Sequence, residues 1–90
     1  MKIAYSSKFE KSLRKIKKSQ PQQISIISKQ IKLFIKNPTH PSLRLHKLSG
    51  KLGKYYSLSA GSNLRIIFTW KDAETVMSYQ IGTHDQVYRK

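Results

Sequence analysis

Ninety residues make one domain, spanning 1–90, with no room for a second, and a chain this short buries only about 60 to 65% of the surface its unfolded form exposes. Eighteen Lys and Arg against four acids, Glu10, Asp72, Glu74 and Asp85, give a formal net charge of +14, a field suited to a polyanion or an acidic protein, the plainer reading being a basic surface kept for solubility. The absence of cysteine excludes disulfides and thiolate metal sites, and no apolar run reaches the ~20 residues of a membrane span or the roughly 7 to 15 of a signal peptide, so a soluble, cytoplasmic domain is expected.

Lys2-Ile3-Ala4-Tyr5 places Ile3 and Tyr5 at the two-residue spacing of one strand face and predicts an opening strand. Ser6 or Ser7 then offers a helix cap. Glu10, three residues past Ser7, completes a capping-box pattern, and Phe9, Leu13 and Ile16 follow at helical spacing. Lys8, Lys11, Arg14, Lys15, Lys17 and Lys18 take the remaining turns, so this helix covers the core with one side only. Pro21 suits a first helical turn and not an interior, and it opens a second helix in which Ile24, Ile27, Ile31 and Phe34 recur at three- and four-residue steps. That pattern lasts barely two heptads, which favours a helix hairpin with one shared apolar side over a coiled-coil dimer. Pro38 and Pro41 end it.

Next comes Ser49-Gly50-Lys51-Leu52-Gly53-Lys54, a basic loop whose glycines suit positive φ. It lacks the spacing and the Lys-Ser/Thr ending of a P-loop, so a nucleotide cradle is not expected. Residues 55–60, 64–70 and 75–81 are rich in aromatic and branched side chains, and the short polar turns between them predict an antiparallel meander. In the middle strand Leu64, Ile66, Phe68 and Trp70 share one face, the floor for the helix hairpin. Arg65, Ile67 and Thr69 share the other, where a cation amid apolar residues calls for water or an anion. The expected fold class is α+β, an antiparallel sheet with a two-helix hairpin packed on one face, in the order β-α-α-β-β-β.

A sheet that returns on itself twice brings the two ends of the stretch 45–88 together, and with them His46, Arg65, His84 and Tyr88. These residue types suit RNA cleavage without a metal. One group takes the 2′-hydroxyl proton, a cation steadies the crowded phosphate, and an acid protonates the departing 5′-oxygen. Histidine exchanges protons near neutral pH, and arginine presents a planar fork to phosphate oxygens. The plainer reading is three surface residues that fall near one another on a small domain. His40, between Pro38 and Pro41, reads as a loop residue. Zinc binding by His40, His46, His84 and Asp85 lacks a compact ligand spacing, so no metal and no cofactor are expected. Tyr55, Tyr56, Phe68, Trp70 and Tyr79 read as core and sheet residues in preference to a base-stacking platform. Tyr88 differs, lying in a polar tail past the last strand where burial does not explain it.

Three stretches carry a resemblance: His46-Lys47-Leu48-Ser49-Gly50-Lys51-Leu52-Gly53-Lys54-Tyr55-Tyr56-Ser57, then Asn63-Leu64-Arg65-Ile66-Ile67-Phe68, then Ile81-Gly82-Thr83-His84-Asp85-Gln86-Val87-Tyr88-Arg89. In this order and at this length they resemble the RelE/ParE superfamily of bacterial toxins, most nearly the ribosome-dependent mRNA interferases of the RelE, YoeB and YafQ kind. The resemblance covers essentially the whole chain. It implies a toxin of a type II toxin-antitoxin system, an endoribonuclease that cleaves mRNA in the ribosomal A site and is held inactive by a cognate antitoxin. It also implies roles. His46 stands where some relatives place the base, Arg65 resembles the strand arginine on the scissile phosphate, His84 resembles the general acid or its equivalent, and Tyr88 resembles the C-terminal aromatic that orients the nucleotide. Which histidine is base and which is acid stays open. Arg44, Lys47, Lys51, Lys54 and Arg89 are the cations expected to bind RNA. Where the RelE type carries several lysines, this chain reads Tyr56-Ser57-Leu58-Ser59-Ala60, and where the YafQ type has a histidine and an aspartate it has Ser59 and Asn63, a leaner set. The readings from other classes are a ParE-like toxin that binds DNA gyrase and a basic RNA-binding module without catalysis. His46 together with His84 favours cleavage over the gyrase-binding reading.

Overall fold

The computed structural model describes residues 1–61 and 63–88. Strand β1 (Lys2–Tyr5) runs into helix α1 (Ser7–Ser19), and the N-cap is Ser6, whose hydroxyl accepts from the Phe9 N–H at 3.0 Å. Of the two serines it is Ser6 that caps, because its hydroxyl also donates to the Tyr79 carbonyl at 2.6 Å and ties the helix start to the sheet; Glu10 is left exposed outside any capping box with Ser7. Helix α2 (Gln23–Lys36) follows the turn at Pro21 without a side-chain cap and stops at Asn37, ahead of Pro38.

Strands β2 (His46–Lys47), β3 (Tyr56–Ser59), β4 (Leu64–Trp70) and β5 (Thr75–Thr83) are antiparallel neighbours. The sheet order is β1-β5-β4-β3-β2, and β1 lies parallel to β5 at one edge, from Lys2↔Thr75 to Tyr5↔Ser78. The fold is therefore α+β with a mostly antiparallel, mixed sheet. The α1–α2 hairpin carries the chain from β1 to the far edge at β2, and the antiparallel run β2–β5 brings it back to lie beside β1.

The hairpin covers the expected face. Phe9, Ile16, Ile27 and Phe34 from the helices join Leu58, Leu64, Ile66, Phe68, Val76 and Ile81 from the strands in one buried cluster. The Phe68 ring sits 4.8 Å from Phe34 and 5.5 Å from Tyr56, centroid to centroid. Trp70 departs from the expectation. As the last residue of β4 it lies past the buried row and is 45% exposed.

Register assigns the opposite face. His46↔Ser57, Ser57↔Ile67 and Ile67↔Gln80 form one row, and Ser59↔Arg65 and Arg65↔Gly82 the next. Between Ile67 and Phe68 the register shifts, leaving Tyr79 of β5 unpaired as a bulge. Onto this face folds an element the sequence reading lacked, the short helix α3 (His84–Tyr88). A Cβ on Gly82 would lie 2.7 Å from Gln86 Oε1 and 3.5 Å from Val87 Cγ1, so glycine is what lets α3 lie back on the strand. A reciprocal cap starts it, with the Thr83 N–H donating to Gln86 Oε1 at 2.8 Å and the Gln86 N–H donating to Thr83 Oγ1 at 3.3 Å.

Candidate functional site

The segment before β2 is pinned by its own chemistry. Pro41–Leu43 makes a single 3-10 turn, capped by His40, whose Nδ1 accepts from the Ser42 N–H at 3.1 Å, and Leu43 is fully buried beneath it. His40 is thus a structural loop residue. The chain leaves this turn through Arg44 at φ 48° and ψ 45°, a left-handed conformation that costs a residue other than glycine about 1 to 3 kcal/mol. Strain of that size persists only where the surroundings hold it. Here they are the Leu43 anchor and the Arg44 N–H bond to the Pro41 carbonyl at 3.1 Å.

Two residues on, His46 stands exposed on the edge strand β2 with Nδ1 3.4 Å from the Arg44 carbonyl. With hydrogen on Nδ1 the ring can donate to that carbonyl, and in that tautomer Nε2 is the acceptor. Arg65 is half-buried on β4, and its Nη1 donates to the carbonyl of its own neighbour Leu64 at 3.0 Å. Among the described residues the one ion pair is His84 with Asp85, so no carboxylate claims this guanidinium.

His84 and Tyr88 lie one turn apart on α3, the spacing that stacks side chains on one helix face. Their rings meet edge-on at 4.3 Å and 65°. His84 Nδ1 is 3.6 Å from Asp85 Oδ1, beyond hydrogen-bond range and open to water, so the carboxylate acts on it only through a screened field.

These elements close around an open hollow of about 420 Å³ lined by Arg44, His46, Leu48, Arg65, His84 and Tyr88. The four residues grouped on chemical grounds share one surface, and Arg44 joins them. Lys47, Lys51 and Lys54 are exposed and line no part of it, and Arg89 lies outside the described residues. Leu48, an apolar wall the sequence reading did not single out, is set there by its N–H bond to the Tyr55 carbonyl at 2.9 Å, which closes the β2–β3 hairpin. Ser57 is fully buried opposite His46 and Ser59 is 8% exposed, so the stretch where the RelE type carries lysines packs inward. Among the described residues no carboxylate lines the hollow, and two guanidinium groups and two imidazoles do, a lining complementary to a phosphodiester. Among the described residues no group of three or more His, Cys, Asp or Glu converges to hold a metal ion, the set of His40, His46, His84 and Asp85 included.

No curated protein matches the chain significantly. Solved structures do match it. YafQ from E. coli strain BL21(DE3) aligns with a TM-score of 0.80 and 18% identity over 96% of each chain. YafQ in the E. coli DinJ-YafQ complex gives 0.79 at 18% identity, again over 96% of each chain. The YoeB-YefM complex from Staphylococcus aureus gives 0.75 at 18% identity, over 93% of this chain and 97% of that one. At these identities the likeness is one of fold. A family model matches residues 1–89, that of the bacterial toxin of type II toxin-antitoxin systems, YafQ, and on that match the chain belongs to the YafQ family of type II toxins.

Proposed function

We propose that this toxin is an endoribonuclease that cleaves mRNA on the ribosome by acid-base chemistry. The observation that carries the reading is the convergence of Arg44, His46, Arg65, His84 and Tyr88 on one hollow. One imidazole removes the proton of a 2′-hydroxyl as that oxygen attacks the adjacent phosphorus. The P–O5′ bond breaks, and the other imidazole gives its proton to the departing oxygen, leaving a 2′,3′-cyclic phosphate and a 5′-hydroxyl. With hydrogen on Nδ1, the Nε2 of His46 suits the base, and His84 suits the acid. Arg65 and Arg44 hold the phosphate while its charge builds, and the edge of Tyr88 against His84 fixes that ring and offers a surface to the nucleotide.

Lys47, Lys51 and Lys54 extend the cationic surface toward ribosomal RNA, where they act through charge more than geometry, and Arg89, outside the described residues, adds its charge to theirs. Antitoxins accompany solved relatives of this fold, and a cognate antitoxin is the partner that silences this one. An acidic segment, disordered when alone, suits a surface of +14. Among the described residues no helix is long and apolar enough to cross a membrane, and a ribosomal target places the toxin in the cytoplasm. Primer extension on mRNA from cells expressing the chain tests the reading. New 5′ ends within codons are expected; intact message with gyrase-linked DNA breaks would overturn it in favour of a ParE-like activity.

A further inference from the structure

Tyr56 and Phe68 pack into the core, but Tyr55 and Tyr79 do not. Their rings meet at 5.5 Å and 31°, outside the core cluster, and Tyr79 is 37% exposed. A lysine lies over each: Lys8 Nζ is 5.3 Å from the Tyr79 centroid and Lys54 Nζ 5.5 Å from that of Tyr55. Tyr79 is the residue that the bulge frees from pairing. Alternation from Ser78, which shares the helix-covered face with Phe68, turns Tyr79 to the opposite face. Tyr55 precedes the core-facing Tyr56, and the Thr69 hydroxyl, on the Arg65 face of β4, donates to the Lys54 carbonyl at 2.9 Å. Both tyrosines therefore lie on the face that carries the hollow. Tyr79 stands three residues before Gly82, the partner of Arg65, hence about 10 Å along the strand at ~3.3 Å per residue.

We propose that Tyr55 and Tyr79 form a stacking platform for an unpaired base of the RNA strand whose scissile phosphate lies at Arg65, an inference that rests on reading the hollow as an RNA-cleaving site. A base stacks on an aromatic ring more strongly than an exposed ammonium holds to one, so Lys8 and Lys54 yield the rings and turn to the flanking phosphates. The occupant is RNA and not an acidic polypeptide, because a carboxylate gains nothing from the negative face of a ring, whereas every base presents a π surface. Asp72 and Glu74 lie in the β4–β5 turn, and the Asp72 carboxylate accepts from the Glu74 N–H at 2.8 Å. Such a platform adds affinity and register and leaves the choice of base open.

The test is binding of a short single-stranded RNA, made uncleavable by one 2′-deoxy nucleotide, to the full-length chain by fluorescence anisotropy, with ribosomal cleavage measured on the same preparations. Tyr79→Leu and Tyr55→Leu, which keep apolar bulk and sheet compatibility, each weaken binding about tenfold, and Tyr79→Phe binds within about twofold of the parent. An abasic nucleotide one or two positions from the deoxy site weakens the parent by a similar factor and weakens Tyr79→Leu no further. On ribosomes the leucine variants raise the concentration for half-maximal cleavage and leave the saturated rate unchanged. The platform is overturned if folded leucine variants bind the RNA like the parent, if Phe fails as Leu does, or if the variants lose only the binding of an acidic antitoxin segment. A parent that shows the abasic signature but never cleaves overturns the nuclease reading and leaves the platform standing. A parent that cleaves without the signature overturns the platform alone.

Discussion

Arg44 shows at the scale of one residue how this toxin trades backbone comfort for placement. Its left-handed conformation gains nothing from its own side chain, which is exposed, yet it turns the chain into β2, where His46 pairs with Ser57 and shares the hollow with Arg65. Arg44→Gly should therefore leave the melting temperature unchanged or raise it, since glycine takes that φ without strain, while RNA affinity falls through the lost guanidinium. Thermal unfolding monitored by circular dichroism, with RNA binding on the same samples, checks both halves; a marked loss of stability would show that the side chain, and not the turn, is what the fold needs. Much at this scale was legible. Arg65 among apolar strand residues, His46 and His84 stand out by chemistry alone. The strain at Arg44 was not legible, because it is imposed by Leu43 being buried in a core assembled from distant segments.

Among the elements, α3 decides whether there is a site at all, since it delivers both His84 and Tyr88. Five residues are too few for a hydrophobic period, which is why this stretch read as a polar tail, yet Thr83-His84-Asp85-Gln86 carries a capping box that could have marked it. Strand β2, two residues long, was hidden for the same reason: it exists only through its pairing with β3. The longer elements were readable because periodicity accumulates over them, and β4 matched residue for residue, with only Trp70 falling beyond the helices that the alternation assigned to it. Gly82→Ala forces a methyl against Gln86 and should displace α3, cutting cleavage at least tenfold while the sheet signal in circular dichroism stays. Gln86→Ala removes the cap, a loss of about 1 kcal/mol, and should act in the same direction more weakly. Wild-type rates in both would detach α3 from function. The β4–β5 turn gives a pH test. The Glu74 N–H holds the Asp72 carboxyl below its ordinary value, so its contribution to stability is present above the ordinary carboxylate range and is lost as pH falls through the lowered value. Asp72→Ala should remove that part of the acid sensitivity of the melting temperature and leave the rest.

At the scale of the molecule, +14 spread over ninety residues makes association fast and salt-sensitive, whichever polyanion is met first. Lys51→Ala and Lys54→Ala should weaken ribosome binding more than chemistry, with an effect that shrinks as salt rises and is partly overcome by more ribosome; a change confined to the saturated rate would contradict this. The composition pointed to a polyanion from the outset, but it could not tell a general RNA binder from a nuclease, because that difference lies in where a few side chains converge. The most direct measurement is single-turnover cleavage on programmed ribosomes at saturating concentration, comparing the parent with His84→Ala and Arg65→Ala and checking the fold of each by circular dichroism. Both folded variants should lose about 10² to 10⁴ in rate, the usual yield of a positioned acid or a preorganised phosphate ligand. A well-folded His84→Ala protein that cleaves at the parent rate would contradict the account.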